Sequence, residues 1–251
     1  EVYFPLRVKV CTDCWYAQTE NFHRPEELFT SDYSYFSSTS TTWLEHAKNF
    51  SKYIISKLSL NNESFVYEVA SNDGYLLRNF VDANIPCCGI EPTAEVANAA
   101  KNQGINVIQE FLTLKLAKKI KATNQLADLI IANYVLAHVP DIVDFIKSIG
   151  LLLKKNGVAT FEFHHLLNLL KYKQFDTIYH EHYSYLSLIA LEPIFKRYGL
   201  YIWDVEKLNT HGGSLRIFVS KNSASFPVCC SVKRVIEEET NLPNQSYFLD
   251  Q

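Results

Sequence analysis

The chain contains no methionine, no apolar run long enough to cross a bilayer and no Gly-x-Gly-x-x-Gly segment. The first lack, with a start at Glu1, leads us to expect a piece of a longer protein, its beginning missing and other residues omitted within. The most apolar stretches, such as Ala127 to Val139, are broken by Asp128, Asn133 and His138 and fall short of the ~20 residues a spanning helix needs. No signal peptide is visible. A formal net charge of -3 and a pI near 6.3 argue against a nucleic-acid or polybasic membrane partner. The expected compartment is therefore the cytoplasm, where the six cysteines stay reduced, and a monomer is the favoured state. At 251 residues, 47% hydrophobic and 20% charged, the composition is that of a soluble globular protein with one sizeable core and a small appendage.

Residues 1–60 are rich in aromatic and hydroxyl side chains, culminating in the Ser31 to Thr42 segment. They read as a small N-terminal module, an irregular stretch and a linker helix from Thr42 to Leu58, with Leu44, Ala47, Phe50, Ile54 and Ile55 on one face. Residues 61–225 form the main domain. Short β-rich runs, Phe65 to Val69, Cys87 to Ile90, Ile105 to Ile108, Leu126 to Ala132 and Val158 to Phe163, alternate there with amphipathic helices and predict a parallel sheet covered on both faces. Two further strands, Leu200 to Val205 and Ser214 to Ser220, are joined by Asn209 to Gly213, too short for a crossover, so this pair is expected to be antiparallel. Residues 226–251 read as the start of a truncated C-terminal segment. A seven-stranded α/β sheet with an antiparallel last strand is similar to the Rossmann-like arrangement of class I methyltransferases, and a dinucleotide-binding domain normally lacks that pair.

In open α/β sheets ligands bind beyond the carboxyl ends of the strands. The first run is followed by Glu68-Val69-Ala70-Ser71-Asn72-Asp73-Gly74-Tyr75, with a single glycine. A pyrophosphate would require more glycines, whereas S-adenosylmethionine carries no phosphate. Its carboxylate would suit the backbone N–H groups after Gly74, although an ordinary strand-helix turn reads the same way. The second run ends in Glu91-Pro92, where a carboxylate can accept both ribose hydroxyls or simply sit at a helix N-terminus. Phe111 could flank adenine or fill the core. Asn133 opens the polar segment after the fourth run, which leads to Pro140 and Asp141 at the next helix start; His138 within it also reads as a hydrogen-bonded loop histidine.

Gln174 to Tyr185 packs two histidines, a glutamate and three tyrosines beyond the fifth run. Such a density of titratable groups is the strongest local signal in the chain. A solvated loop is one alternative, and a metal held by His180 and His182 is another. Methylating a carbon requires a base near neutral pKa and groups that hold enolate charge, and His, Glu and Tyr together meet that requirement.

These motifs resemble the sugar C-methyltransferases that act on thymidine-diphosphate-linked 4-keto deoxysugars. The resemblance runs from Pro5-Leu6 and Cys11-x-x-Cys14 through Asp32-Tyr33-x-Tyr35-x-Ser37-Ser38, Glu68 to Gly74, Gly89 to Pro92, Leu136 to Asp141 and Tyr179-His180-Glu181-His182 to Thr210-His211-Gly212-Gly213-Ser214-Leu215-Arg216. It implies a nucleotide-sugar substrate, His182 as the base, Tyr179 and Glu181 orienting sugar or enolate, and Tyr33 and His138 closing over the reacting centre. It further implies Glu91 on the ribose and the Glu68 to Gly74 turn, including Ala70, Ser71 and Asn72, on the methionine part. Members commonly carry a second Asn where this chain has Tyr134. They also extend further at both ends, with an upstream cysteine pair and a second α/β domain that helps to hold the nucleotide. An O- or N-methyltransferase on the same fold, or a nucleotide-binding module without activity, are the competing readings.

Cys11-Thr12-Asp13-Cys14 has the spacing of half a structural zinc site; by itself it is ambiguous between zinc and redox use. Cys87-Cys88 and Cys229-Cys230 are unsuited to complete it. With the resemblance, Cys11 and Cys14 are expected to bind zinc in the intact protein, and the site in this chain is expected to be incomplete.

Overall fold

The computed structural model describes residues 4–20 and 35–241. In chain order the elements are β1 (Val8–Val10), β2 (Ala17–Thr19), α1 (Thr41–Leu58), β3 (Val66–Val69), α2 (Arg78–Asp82), β4 (Cys87–Ile90), α3 (Ala94–Asn102), β5 (Val107–Ile108), α4 (Leu114–Ala122), β6 (Ala127–Asn133), α5 (Ile142–Leu152), β7 (Leu153–His164), α6 (Leu166–Lys171), β8 (Ser184–Tyr185), α7 (Leu188–Arg197), β9 (Tyr201–Leu208), β10 (Ser214–Ser220) and α8 (Cys230–Thr240). Seven strands form one sheet in the order β5-β4-β3-β6-β7-β10-β9. The strands from β5 to β7 are parallel, and β10 is antiparallel to both of its neighbours. The order reverses between β3 and β6, and polar side chains after those strands are placed at that switch point.

Period-two alternation along the central strands divides the core into two layers. Tyr67, Ile130, Ala132, Phe161 and Ile217 pack under α4, α5, α7 and α8, whereas Val66, Leu129, Ile131, Val158 and Phe218 face α1 and α2. Four of the helices begin with side-chain caps: Ser40 accepts from Trp43 N–H, Thr113 from Leu116 N–H, Asp141 from Asp144 N–H and Ser187 from Ala190 N–H. On α1 the buried residues are Ala47, Phe50, Ser51 and Ile54, while Leu44 of the expected apolar face is exposed.

Several boundaries differ from the sequence expectation. The third strand shrinks to Val107–Ile108, and Ile105 packs against Gly74, where a Cβ would lie 2.3 Å from its Cδ1. The fifth lengthens to Leu153–His164, so His164 ends a strand. The N-terminal strands β1 and β2 are not free-standing: β2 pairs with β8, giving a second, three-stranded sheet in the order β1-β2-β8. Among the described residues no helix is long and apolar enough to cross a membrane.

Candidate active site

Beyond β3 the chain turns through Ala70, Asn72 and Gly74, all left-handed, with φ of 52°, 50° and 81°. Asparagine and glycine accept that conformation readily; alanine pays for it in steric strain. The turn is held from above by residues 35–39. Asn72 Oδ1 accepts from Ser37 N–H at 2.9 Å, its Nδ2 donates to the Tyr35 carbonyl at 2.8 Å, and Asp73 Oδ2 accepts from Ser38 N–H at 3.2 Å. From β4, Gly89 comes so close that a Cβ on it would lie 2.2 Å from Ser71 Oγ. That approach places Glu91, two residues on, beside the turn: its carboxylate accepts from Asn72 N–H at 3.0 Å and Thr93 N–H at 2.8 Å.

Glu68, Asp73 and Glu91 are thus buried together. Burial holds the Glu68 carboxyl well above its ordinary range, and the neighbouring Glu91 and Asp73 add to the shift. Burial also raises Glu91, against the Thr93 and Asn72 N–H bonds.

A cavity of about 790 Å³ opens above these strand ends. Of the residues expected to hold a cofactor, Ala70, Asn72, Glu91, Pro92, Phe111 and Asn133 line it, whereas Glu68, Ser71 and Gly74 lie outside the lining. Both amide atoms of Asn133 are buried without a hydrogen-bond partner among the described residues. An unpaired buried amide is costly, so its position on the wall fits a polar ligand. Five carboxylates, Glu91, Asp141, Asp144, Asp176 and Glu181, line the cavity, and no described lysine or arginine does. Such a lining favours a cationic guest.

The expected chemical residues meet at the other end. His138, Tyr179, Glu181 and His182 all line the cavity; Tyr33 lies outside the described residues. Tyr183 N–H donates to the Ala137 carbonyl at 2.8 Å, which draws this segment onto the 3-10 turn Leu136–His138. His182 Nδ1–H donates to the Thr177 carbonyl at 2.8 Å, so the neutral ring carries its lone pair on Nε2, where the Tyr179 hydroxyl donates at 2.8 Å. His138 Nδ1–H donates to the Glu181 carbonyl at 2.9 Å. Burial lowers the His182 pKa, against the Thr177 bond. Burial, then the His182 charge, takes His138 to about 4. Both rings are therefore neutral near pH 7, the form a base requires.

Sequence reasoning did not single out several residues of this wall. His164 and Trp43 line it, and so do Tyr35, Tyr134 and His211, which entered only through family motifs. His164 follows the Val158 to Phe163 run directly, and the rule of looking just past each strand would have found it. Tyr134 holds a left-handed φ of 55°, and its hydroxyl bonds Thr210 Oγ1 at 2.6 Å and Ser214 Oγ at 2.9 Å. Behind this wall, buried Glu162 accepts from Arg216 Nε at 2.8 Å and pairs with His46 Nε2 at 2.8 Å. Arg216 also bonds Glu206 at 2.9 Å and lies over the Phe50 ring. This network fastens α1, and with it Trp43, to β7 and β10.

Cys11 and Cys14 sit on the β1–β2 turn, outside the cavity lining. Backbone N–H bonds from Cys14 and Asp13 hold the Cys11 thiol below its ordinary value. Among the described residues no group of three or more His, Cys, Asp or Glu side chains is arranged to hold a metal ion. Among the described residues no third ligand joins Cys11 with Cys14, or His180 with His182.

The sheet order, the antiparallel β10 and the ligand-sized cavity at the switch point define the class I methyltransferase fold. Solved structures agree on the fold. The chain is similar to magnesium protoporphyrin IX methyltransferase from Synechocystis with bound SAH, at a TM-score of 0.56 and 13% identity over 71% of this chain and 83% of that one. It is also similar to an S-adenosylmethionine-dependent methyltransferase from Clostridium acetobutylicum, at 0.55 and 14% over 70% and 91%. A family model described as a methyltransferase domain matches residues 35–205, and the chain belongs to that family. It is 32% identical over 239 residues to C-methyltransferase NovU from Streptomyces niveus. That match takes in 95% of this chain and 57% of NovU, so the chain spans little more than half of that relative's length.

Proposed function

We propose that the protein transfers a methyl group from S-adenosylmethionine to the carbon beside the ketone of a nucleotide-linked 4-keto deoxysugar, a thymidine-diphosphate sugar by its family resemblance. The observation that carries this reading is His182: its Nδ1–H is pinned to Thr177, its Nε2 lone pair faces Tyr179, and it lines the same cavity as Glu91 and Asn133.

The cationic cofactor suits the acidic lining. Glu91 would accept the ribose hydroxyls, Phe111 would lie against adenine, and Ala70, Asn72 and Asn133 would meet the methionine part, with Glu68, Ser71 and Gly74 shaping the turn from below. The cofactor supplies an electrophilic methyl on sulfur. His182 Nε2 removes the proton beside the ketone, and the C–H electron pair passes into the enolate. Tyr179, with His138 beside it, stabilises the enolate oxygen, Glu181 orients the sugar, and the family resemblance gives Tyr33 a share in the same task. The nucleophilic carbon then takes the methyl as the S–C electron pair returns to sulfur. The five carboxylates on the cavity wall would repel a diphosphate, so in this reading the sugar ring enters and the diphosphate stays outside. Cys11 and Cys14 supply half the ligands of a structural zinc site in this reading.

The test uses the full-length protein. With cofactor and substrate it is expected to give a branched sugar, and without cofactor it is expected to exchange the acidic hydrogen for solvent deuterium. His182→Ala is expected to lose both activities by ~10²–10⁴-fold while binding S-adenosylhomocysteine normally in calorimetry. A product methylated on oxygen or nitrogen, with no exchange at carbon, would overturn the reading in favour of a heteroatom methyltransferase.

A further inference from the structure

We propose that His164 and His211 carry the proton taken up by His182 from the cavity to solvent, making the three imidazoles a relay. The inference rests on His182 being the base.

Chemical balance requires an exit. A sulfonium and a C–H bond become a sulfide, a C–CH₃ bond and one proton, so the base ends each turnover protonated. His182 is 4% exposed, and its Nδ1–H is held by the Thr177 carbonyl, an acceptor that cannot take a proton onward. The new proton must therefore leave from Nε2, on the cavity side.

The His164 ring lies 5.4 Å from His182, centre to centre, and the His211 ring lies 5.3 Å from His164. The row runs from a buried ring through a half-buried one to an exposed one. Neither His164 nor His211 makes a ring-nitrogen hydrogen bond to any described residue, so each keeps an N–H and a lone pair to pass on. At these separations one bridging water or a small ring rotation completes each link. Burial, then the His182 and His211 charges, lowers the His164 pKa to about 4, so this ring passes a proton and does not store it. Tyr134 holds the row in place, with its ring 5.3 Å from His164 and 4.6 Å from His211.

In the transfer, Nε2–H of His182 goes to the His164 lone pair, the other N–H of His164 goes to His211, and the far N–H of His211 goes to water. Each relay ring is left as its other tautomer and resets by exchange with water before the next cycle.

The discriminating experiment is rapid-quench kinetics of the full-length protein with cofactor and keto-sugar. His164→Asn is expected to methylate its first substrate at the wild-type rate, in a burst stoichiometric with enzyme. Steady-state turnover is then expected to be slower by ~10-fold or more, and to be restored by added imidazole. His211→Gln, at the exposed end where folding is not at risk, is expected to give a weaker burst of the same kind. An unchanged steady state in both variants, a first turnover slowed as much as later ones, or a burst that appears in Tyr179→Phe but not in His164→Asn would overturn the relay. A wild-type protein that forms no C-methylated sugar overturns the base and the relay together, so the two failures are distinguishable.

Discussion

Where the cavity meets β3, β4 and β6, its wall is made of backbone shape and buried carboxyls, three left-handed residues and a Glu91 that both N–H partners hold still. Where it meets β7 and the Thr177 to His182 segment, the wall is made of imidazoles, two of which keep their ring nitrogens unpaired among the described residues. The first end is a socket whose shape is fixed by backbone hydrogen bonds, with buried polar atoms, both amide atoms of Asn133 among them, left for a ligand to meet. The second end leaves proton-carrying atoms available and accepts the cost of burying them. Binding rewards preorganisation; proton transfer rewards atoms still able to change partner.

The comparison breaks first at the support behind the imidazole end. Arg216 is the charged partner that Glu162 shares with His46, and Glu162 is fully buried. Removing one member of such a pair strands the other charge, so Arg216→Met is expected to cost about 3–5 kcal/mol in urea unfolding. If the two ends are built separately, S-adenosylhomocysteine should still bind the folded fraction with wild-type affinity. Affinity lost in step with stability would mean that the socket depends on the α1 clamp as well.

A smaller effect tests the socket itself. Glu91→Ala removes a buried charged acceptor, a change of about 1.5–3 kcal/mol, or a loss of cofactor affinity of ~10–100-fold in calorimetry. In the proposed reaction, deuterium exchange into the keto-sugar would need only the imidazole end and should continue near the wild-type rate. Exchange that falls with affinity would show the two ends acting as one unit.

The same contrast governs how much could be read without coordinates. The socket follows from spacing: Glu68 to Gly74 and Glu91 stand directly after short apolar runs, and β-strands place such residues at the cleft whatever packs elsewhere. The antiparallel last pair was legible because Asn209 to Gly213 leaves no room for a crossover. The imidazole end depends on long-range assembly. Tyr179 to His182 stood out by density, but His164 sits at the end of an apolar run, and its proximity to His182 and His211 exists only once β7 and β10 are neighbours. The three-stranded sheet escaped for a related reason. Val8–Val10 is exposed at every position, and β8 is two residues long, so neither carries a period to detect.

Acid should separate the two ends by sign. The His164 pKa is lowered from 6.5 to about 4 in the folded protein. Above the unfolded value both states are neutral and the group contributes nothing. As pH falls from 6.5 toward 4 the unfolded chain takes up a proton that the folded one refuses, and stability is lost. Glu91 is shifted the other way, raised from 4.5, chiefly by burial, so the folded state binds its proton first and this group's cost shrinks as pH falls. Lowering the pH from 7.5 to 5.5 should therefore cost about 1 kcal/mol through His164. Urea titrations at the two pH values should show that loss in the wild type and a correspondingly smaller one in His164→Gln. Glu91→Gln, which removes the opposing contribution, should make the wild-type loss on acidification slightly larger. Equal pH dependence in all three proteins would mean that the buried imidazole and the buried carboxyl do not titrate as their surroundings require.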